Sequence, residues 1–353
     1  MSLGRLVDAT VASGKVRAAE LTITTTCSAG LLLSDDRESA ERALTGYGRR
    51  FRNLFDACPA WRRDLSDILA ACTKLEKLSL FYCGSGHGTL WQVRHARLED
   101  IRISRCAIYG VDLVWLPTLE RFVFQGWSST TQRLVSFGHV PRLTTVTLSN
   151  DIGDGEQTLK LSRILANTSS TLTDLRLNFK GDNIWIQPET SRRLTDAFRN
   201  LKTLKIRNVH HECGLAWIMF LLQSAPHLQE LYIKLMNHDC VECARKNVPW
   251  EVAPSFKHYN LAMITILGFY STEETIVTFI RHLVQAAVKL KKICIRENAA
   301  SFCYLCGHTE LPAGSRFPRT YEKTWTLSEK RIGAYISNLK RAAIPQEFHS
   351  KLN

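Results

Sequence analysis

Long apolar runs are missing from this 353-residue chain. Stretches such as AWIMFLL at 216–222 fall far short of the ~20 residues a bilayer-spanning helix needs, so such a helix is excluded. The opening MSLGRLVDATVASGK has no hydrophobic block of the ~7–15 residues a secretory signal carries, and an intracellular chain, cytoplasmic or nuclear, is expected. An even cysteine count is missing too. The 11 cysteines are scattered, which without an export signal predicts reduced thiols in place of a disulfide framework. Acids are outnumbered, with 33 Asp plus Glu against 46 Lys plus Arg and a formal charge of +13. Such a balance attracts acidic partners, nucleic acid among them. No zinc finger, RNP motif, homeodomain or basic helix accompanies it, so specific nucleic-acid recognition is not expected. Phosphate loops are absent as well. The run Gly84-Ser85-Gly86-His87-Gly88 fits neither GxGxxG nor GxxxxGK[ST] and reads as a turn.

What is present is a repeat. The template Leu-x-x-Φ-x-Φ, with Φ apolar, occurs as LEKLSL at Leu75, LEDIRI at Leu98, LERFVF at Leu119, LTTVTL at Leu143 and LTDLRL at Leu172. It continues as LKTLKI at Leu201, LQELYI at Leu228, LAMITI at Leu261 and LKKICI at Leu290. The offsets of 23, 21, 24, 29, 29, 27, 33 and 29 residues lie mostly within the leucine-rich-repeat period of about 20–29. Side chains two apart on a strand share a face, so both Φ residues point inward. One unit cannot bury its apolar face alone, whereas stacked units form a continuous core. The fold class expected is α/β: a leucine-rich-repeat solenoid with a curved parallel sheet on its concave face and helices and turns outside. Residues 19–27 read as an outlying earlier strand.

Between hexads the period changes from 2 to 3.6. Ser271 and Glu274 fit a capping box, after which Ile276, Phe279, Ile280, Leu283, Val284 and Ala287 share one helical face. Segments 194–198 and 213–223 read as further helical returns. The early repeats, at 21–24 residues, leave room only for short turns or 3₁₀ segments. Residues 1–60 read as an N-terminal capping region or early repeat, 61–298 as the solenoid, and 299–353 as a loop with a capping helix at 328–343.

The strings LVWLPTLERF at 113–122, LKLSRILAN at 159–167, GLAWIMFLLQSAPHLQELYI at 214–233, PSFKHYNL at 254–261 and RFPRTYEK at 316–323 resemble plant F-box/LRR proteins, in particular the FBD-associated type of grasses. That resemblance implies a non-enzymatic substrate receptor, whose F-box docks on the adaptor of an SCF ubiquitin ligase while the repeats hold a target protein. No Leu-Pro-x-Asp/Glu stretch precedes the repeats, so adaptor docking is expected only if an unrecognised F-box exists. A repeat-only chain that binds targets without ligase recruitment is the alternative.

The candidate binding face follows from strand alternation. The two outward columns contain six cations and no acid: Arg102, Arg176, Lys205, Arg207, Lys234 and Arg296, with Tyr232 among them. This stripe predicts a protein target with an acidic surface, with a polyanion as a further candidate. Two CxxC pairs, Cys240 with Cys243 and Cys303 with Cys306, follow strands two rungs apart and form a candidate zinc set; apart from that, no cofactor is expected. His210 and His211 lack an assembled nucleophile, base and orienter, and no catalytic residue is assigned.

Overall fold

A computed structural model describes residues 65–297, apart from 82–89, 107, 127–133, 151–157, 167, 169–170, 180–183, 190–191, 211–212, 237–249, 251–254 and 270–273. It also describes four outlying strands, Glu20–Ile23, Ser301–Phe302, Thr309–Glu310 and Lys323–Thr326. The chain divides into two compact units. The first is built mainly from Met1–Gln157 with Leu161–Leu172, the second mainly from Thr173–Tyr304.

The first unit contains β1 (Glu20–Ile23), α1 (Leu65–Ala71), β2 (Lys77–Phe81), β3 (Leu90–Arg94), β4 (Asp100–Ser104), β5 (Gly110–Trp115), β6 (Arg121–Gln125), β7 (Val135–His139), β8 (Thr145–Ser149) and α2 (Leu161–Ile164). Strands β1, β2, β4, β6 and β8 pair in parallel, the last four being hexad strands. The segments between them do not form the turns or 3₁₀ segments expected of short repeats. Instead β3, β5 and β7 build a second, three-stranded parallel sheet. Extended backbone rises about 3.3 Å per residue against 1.5 Å for a helix, so a five-residue strand spans the layer where few residues are available. The two sheets share a core, with Phe122 on β6 meeting Phe137 on β7 edge-on at 5.6 Å.

The second unit contains β9 (Asp174–Asn178), α3 (Arg192–Ala197), β10 (Thr203–His210), α4 (Ile218–Ser224), β11 (Glu230–Met236), β12 (Met263–Phe269), α5 (Glu274–Ala286) and β13 (Lys292–Glu297), followed by β14 (Ser301–Phe302), β15 (Thr309–Glu310) and β16 (Lys323–Thr326). Strands β9 to β13 run parallel in sequence order. Here α3, α4 and α5 lie in the returns from β9 to β10, β10 to β11 and β12 to β13, and the α5 face predicted from periodicity is buried from Ile276 to Ala287. Strand β16 pairs antiparallel with β13 and occupies its otherwise open edge. The capping helix expected at 328–343 lies outside the described residues.

Every template leucine and both Φ residues of all nine hexads are buried. Each such aliphatic contributes on the order of 1.5–3 kcal/mol, and the fold class is the α/β leucine-rich-repeat solenoid that the hexads predict. Backbone hydrogen bonding repeats with the same period. In seven hexads the carbonyl after the leucine accepts from two amides of the next hexad: Glu76 O takes Glu99 N at 2.7 Å and Asp100 N at 3.2 Å, and Lys202 O takes Gln229 N and Glu230 N at 2.9 and 3.0 Å. Seven residues after the hexad leucine, four repeats use a left-handed residue: Arg105, Gly126, Asn208 and Gly268, with φ of 53, 64, 54 and 74°. At Asn208 and Gly268 it coincides with a register shift in the ladder.

A second recurring device is a histidine three residues before the leucine. In ordinary repeats the leucine amide closes a turn onto that position's carbonyl, as Leu228 N does on Ala225 O at 3.1 Å. In the HYNL repeat, His258 Nδ1 accepts from Leu261 N at 3.0 Å and its Nε2 donates to Ala225 O at 2.9 Å. His95 makes a related turn, its Nδ1 accepting from Arg97 N, one residue before the leucine, at 3.1 Å and its Nε2 donating to Cys72 O at 3.0 Å. Because Nδ1 faces an amide, the neutral ring with its proton on Nε2 satisfies the turn, and a second proton would oppose it. Burial pushes the His258 pKa below its ordinary value; the bond to Ala225 works against this and the charge of His227 adds to it. As pH falls below ~6.5, the unfolded chain therefore takes up this proton first, and stability present above that pH is lost toward the depressed folded value. Urea midpoints of wild type and His258→Gln should differ most at pH 7.5 and converge toward pH 5.5. A gap independent of pH would remove His258 from this account.

Candidate functional site

The outward columns read from the sequence are real rows of neighbours. In the first unit Ser79, Arg102, Val123 and Thr147 stand in register, as do Phe81, Ser104, Gln125 and Ser149. In the second unit one row runs Arg176, Lys205, Tyr232, Thr265, Cys294 and the other Asn178, Arg207, Lys234, Leu267, Arg296. Strand spacing of about 4.8 Å brings adjacent members within side-chain reach.

The cations do not form the continuous unpaired stripe expected. A third outward row, two residues before the first, supplies acids that the two-column reading missed. Asp100, 7% exposed, takes Arg102 Nε at 3.4 Å on one oxygen and Arg121 Nε at 3.0 Å on the other. Asp174 accepts two bonds from Arg176, at 2.8 Å from Nε and 3.3 Å from Nη2, and lies 3.7 Å from Lys205 Nζ. This paired geometry raises the Arg176 pKa, chiefly through the hydrogen bond to Asp174. Arg102, Arg176 and Lys205 are therefore largely occupied within the protein. The signal was in the sequence: Asp-Φ-Arg within LEDIRI and LTDLRL puts acid and base on one face.

Arg207 and Lys234 differ. They are direct register partners on β10 and β11, and among the described residues no acid forms an ion pair with either. The Arg207 guanidinium sits over the Tyr232 ring, 5.6 Å from its centroid, a cation–π placement that fixes the planar group. Lys234 is half-buried, and its pKa is lowered first by burial and then by the charge of Arg207. Immediately after Arg207, Asn208 adopts its left-handed conformation and donates Nδ2 to Asn178 Oδ1 at 2.9 Å, which pins the bulge. Arg296 takes its register place beside Leu267 on β13.

With nine hexad strands in place, comparison with known families is decisive. The family model described as the At1g61320/AtMIF1 LRR domain matches residues 61–318. The chain belongs to this family. No curated protein and no solved structure matches it. Membership in the At1g61320/AtMIF1 LRR domain family places the chain among leucine-rich-repeat domains, which are generally non-enzymatic and serve protein interaction.

The other candidates fare differently. Cys240, Cys243, Cys303 and Cys306 lie outside the described residues, as do His211 and the 84–88 turn. Among the described residues, no group of three or more His, Cys, Asp or Glu could hold a metal ion, and Cys72, Cys106, Cys213 and Cys294 are in no disulfide. His210 ends β10 and is buried. Trp185 and Trp217 belong to the core, while Trp115 is 43% exposed.

Proposed function

We propose that the chain is a non-enzymatic receptor that holds an acidic segment of a target protein against the outward face of β10 and β11. The observation that carries this reading is the Arg207–Lys234 pair, two neighbouring cations that no described acid neutralises, beside the aromatic ring of Tyr232. Interfaces favour Arg and Tyr as anchors, and unpaired charge speeds encounter with a partner of opposite sign. The strings shared with F-box/LRR proteins support a more specific role, the target-recognition part of an SCF-type ubiquitin ligase working in the cytoplasm or nucleus. A repeat-only chain that competes for the same targets is the second reading.

Two variants of equal charge change test the face. Arg207→Met with Lys234→Met should reduce target capture by at least about tenfold, while Arg176→Met with Lys205→Met, which removes cations already held by Asp174, should reduce it far less. Equal losses would make capture a matter of net charge and sink the assignment. Recovery of ligase adaptor and cullin with the wild-type chain selects the ligase reading, and target recovery without them selects the competitor.

A further inference from the structure

We propose that Arg207 and Lys234 form the binding point for a dianionic phosphoryl group carried on the bound segment, a site that rests on the protein-docking reading above. Three observations converge on it. First, the two cations are register partners on adjacent strands, about 4.8 Å apart at the backbone, so one tetrahedral group can reach both. Second, acids answer the cations elsewhere on this face: Asp100 serves Arg102 and Arg121, and Asp174 serves Arg176 and Lys205. Among the described residues the Arg207–Lys234 pair alone joins two cations of the outward rows without such an acid, so these residues hold two like charges together with no counter-charge of their own. Third, the group is built in advance. Tyr232 supports the guanidinium from one side, and the Asn208–Asn178 bond fixes the backbone turn directly behind it.

The charge count selects the ligand class. A single carboxylate brings one negative charge to two cations. A phosphate monoester brings about −1.5 to −2 at neutral pH and three acceptor oxygens, enough for the planar fork of Arg207 and the point charge of Lys234 together. The bound dianion also relieves the repulsion between the two cations and favours the charged form of the half-buried Lys234, which burial disfavours. No bond is made or broken; the site is one of recognition.

The test uses the full chain and a fluorescein-labelled Gly/Ala-rich peptide with one phosphoserine, compared with the same peptide bearing Ser or Asp, at matched ionic strength. Anisotropy should show the phosphoserine peptide binding at least about tenfold tighter than either, with Arg207→Met and Lys234→Met each costing about tenfold and Arg176→Met little. Equal binding of the Asp and phosphoserine peptides would overturn the dianion assignment while leaving acidic docking intact. No binding of any peptide up to millimolar concentration would overturn it as well, and retained capture of an acidic target by wild type alone would show that the docking face survives. Inorganic phosphate competing at the same molar concentration as the phosphopeptide would assign the pair to a free anion and refute a carried group.

Discussion

Trp217→Ala is expected to destabilise the second unit by about 3–5 kcal/mol, whereas Trp217→Phe should cost much less. Trp217 directly precedes α4 and is fully buried, its ring meeting Phe179 at 5.3 Å, while Phe179 in turn stacks on Trp185 at 5.2 Å. Removing the indole opens a large cavity in a cluster where helix return and strand core meet. The indole Nε1, however, has no acceptor among the described residues. A buried donor without a partner costs about 1–3 kcal/mol, so phenylalanine loses volume but also removes that penalty. Denaturant midpoints of the two variants measure the difference. If Phe proved as damaging as Ala, the shape of the indole and its edge contacts, and not the uncompensated donor, would govern this site.

Gly268→Val should be comparably severe, at about 3 kcal/mol or more. At φ +74° any L side chain is strained, and a Cβ at this position would stand 2.7 Å from Leu235 O on the neighbouring strand. A β-branched residue adds a second atom in the same confined space, and the register shift between Leu267 and Phe269 then has no relaxed geometry to adopt. Asn208→Gly, at the equivalent position of its own repeat, exchanges one hydrogen bond to Asn178 for a relaxed left-handed backbone and should be close to neutral. Thermal unfolding of both variants checks the pair; a mild effect of Gly268→Val would mean that β12 can shed its bulge.

Much of this was legible in the residues. Leu204 and Ile206 are buried and Lys205 between them faces out because alternation is a property of the extended chain itself. Ile276, Phe279, Ile280, Leu283 and Val284 mark a helical face by the same kind of local arithmetic. The second sheet was not legible in this way: Trp91 and Val93, or Val135 and Phe137, alternate over too few residues to separate a short strand from a turn. The candidate site was half legible. Reading two outward columns found Arg207 and Lys234 as well as Arg102 and Arg176, but only the third row revealed that Asp100 and Asp174 hold the latter two.

The spacing of leucines and the alternation within each hexad decided by themselves which residues are buried, which strands become neighbours, and which side chains line up in rows. These are consequences of backbone geometry repeated along the chain, and they need no knowledge of what lies across a gap. The tertiary structure alone decided which charges meet across neighbouring strands, where histidine replaces a carbonyl in a turn, and where a glycine is compelled. Asp100 with Arg121, Asp174 with Lys205, the two histidine turns and the contact at Gly268 all join residues on different repeats, and electrostatics and steric contact change too steeply with distance for sequence pattern to fix them.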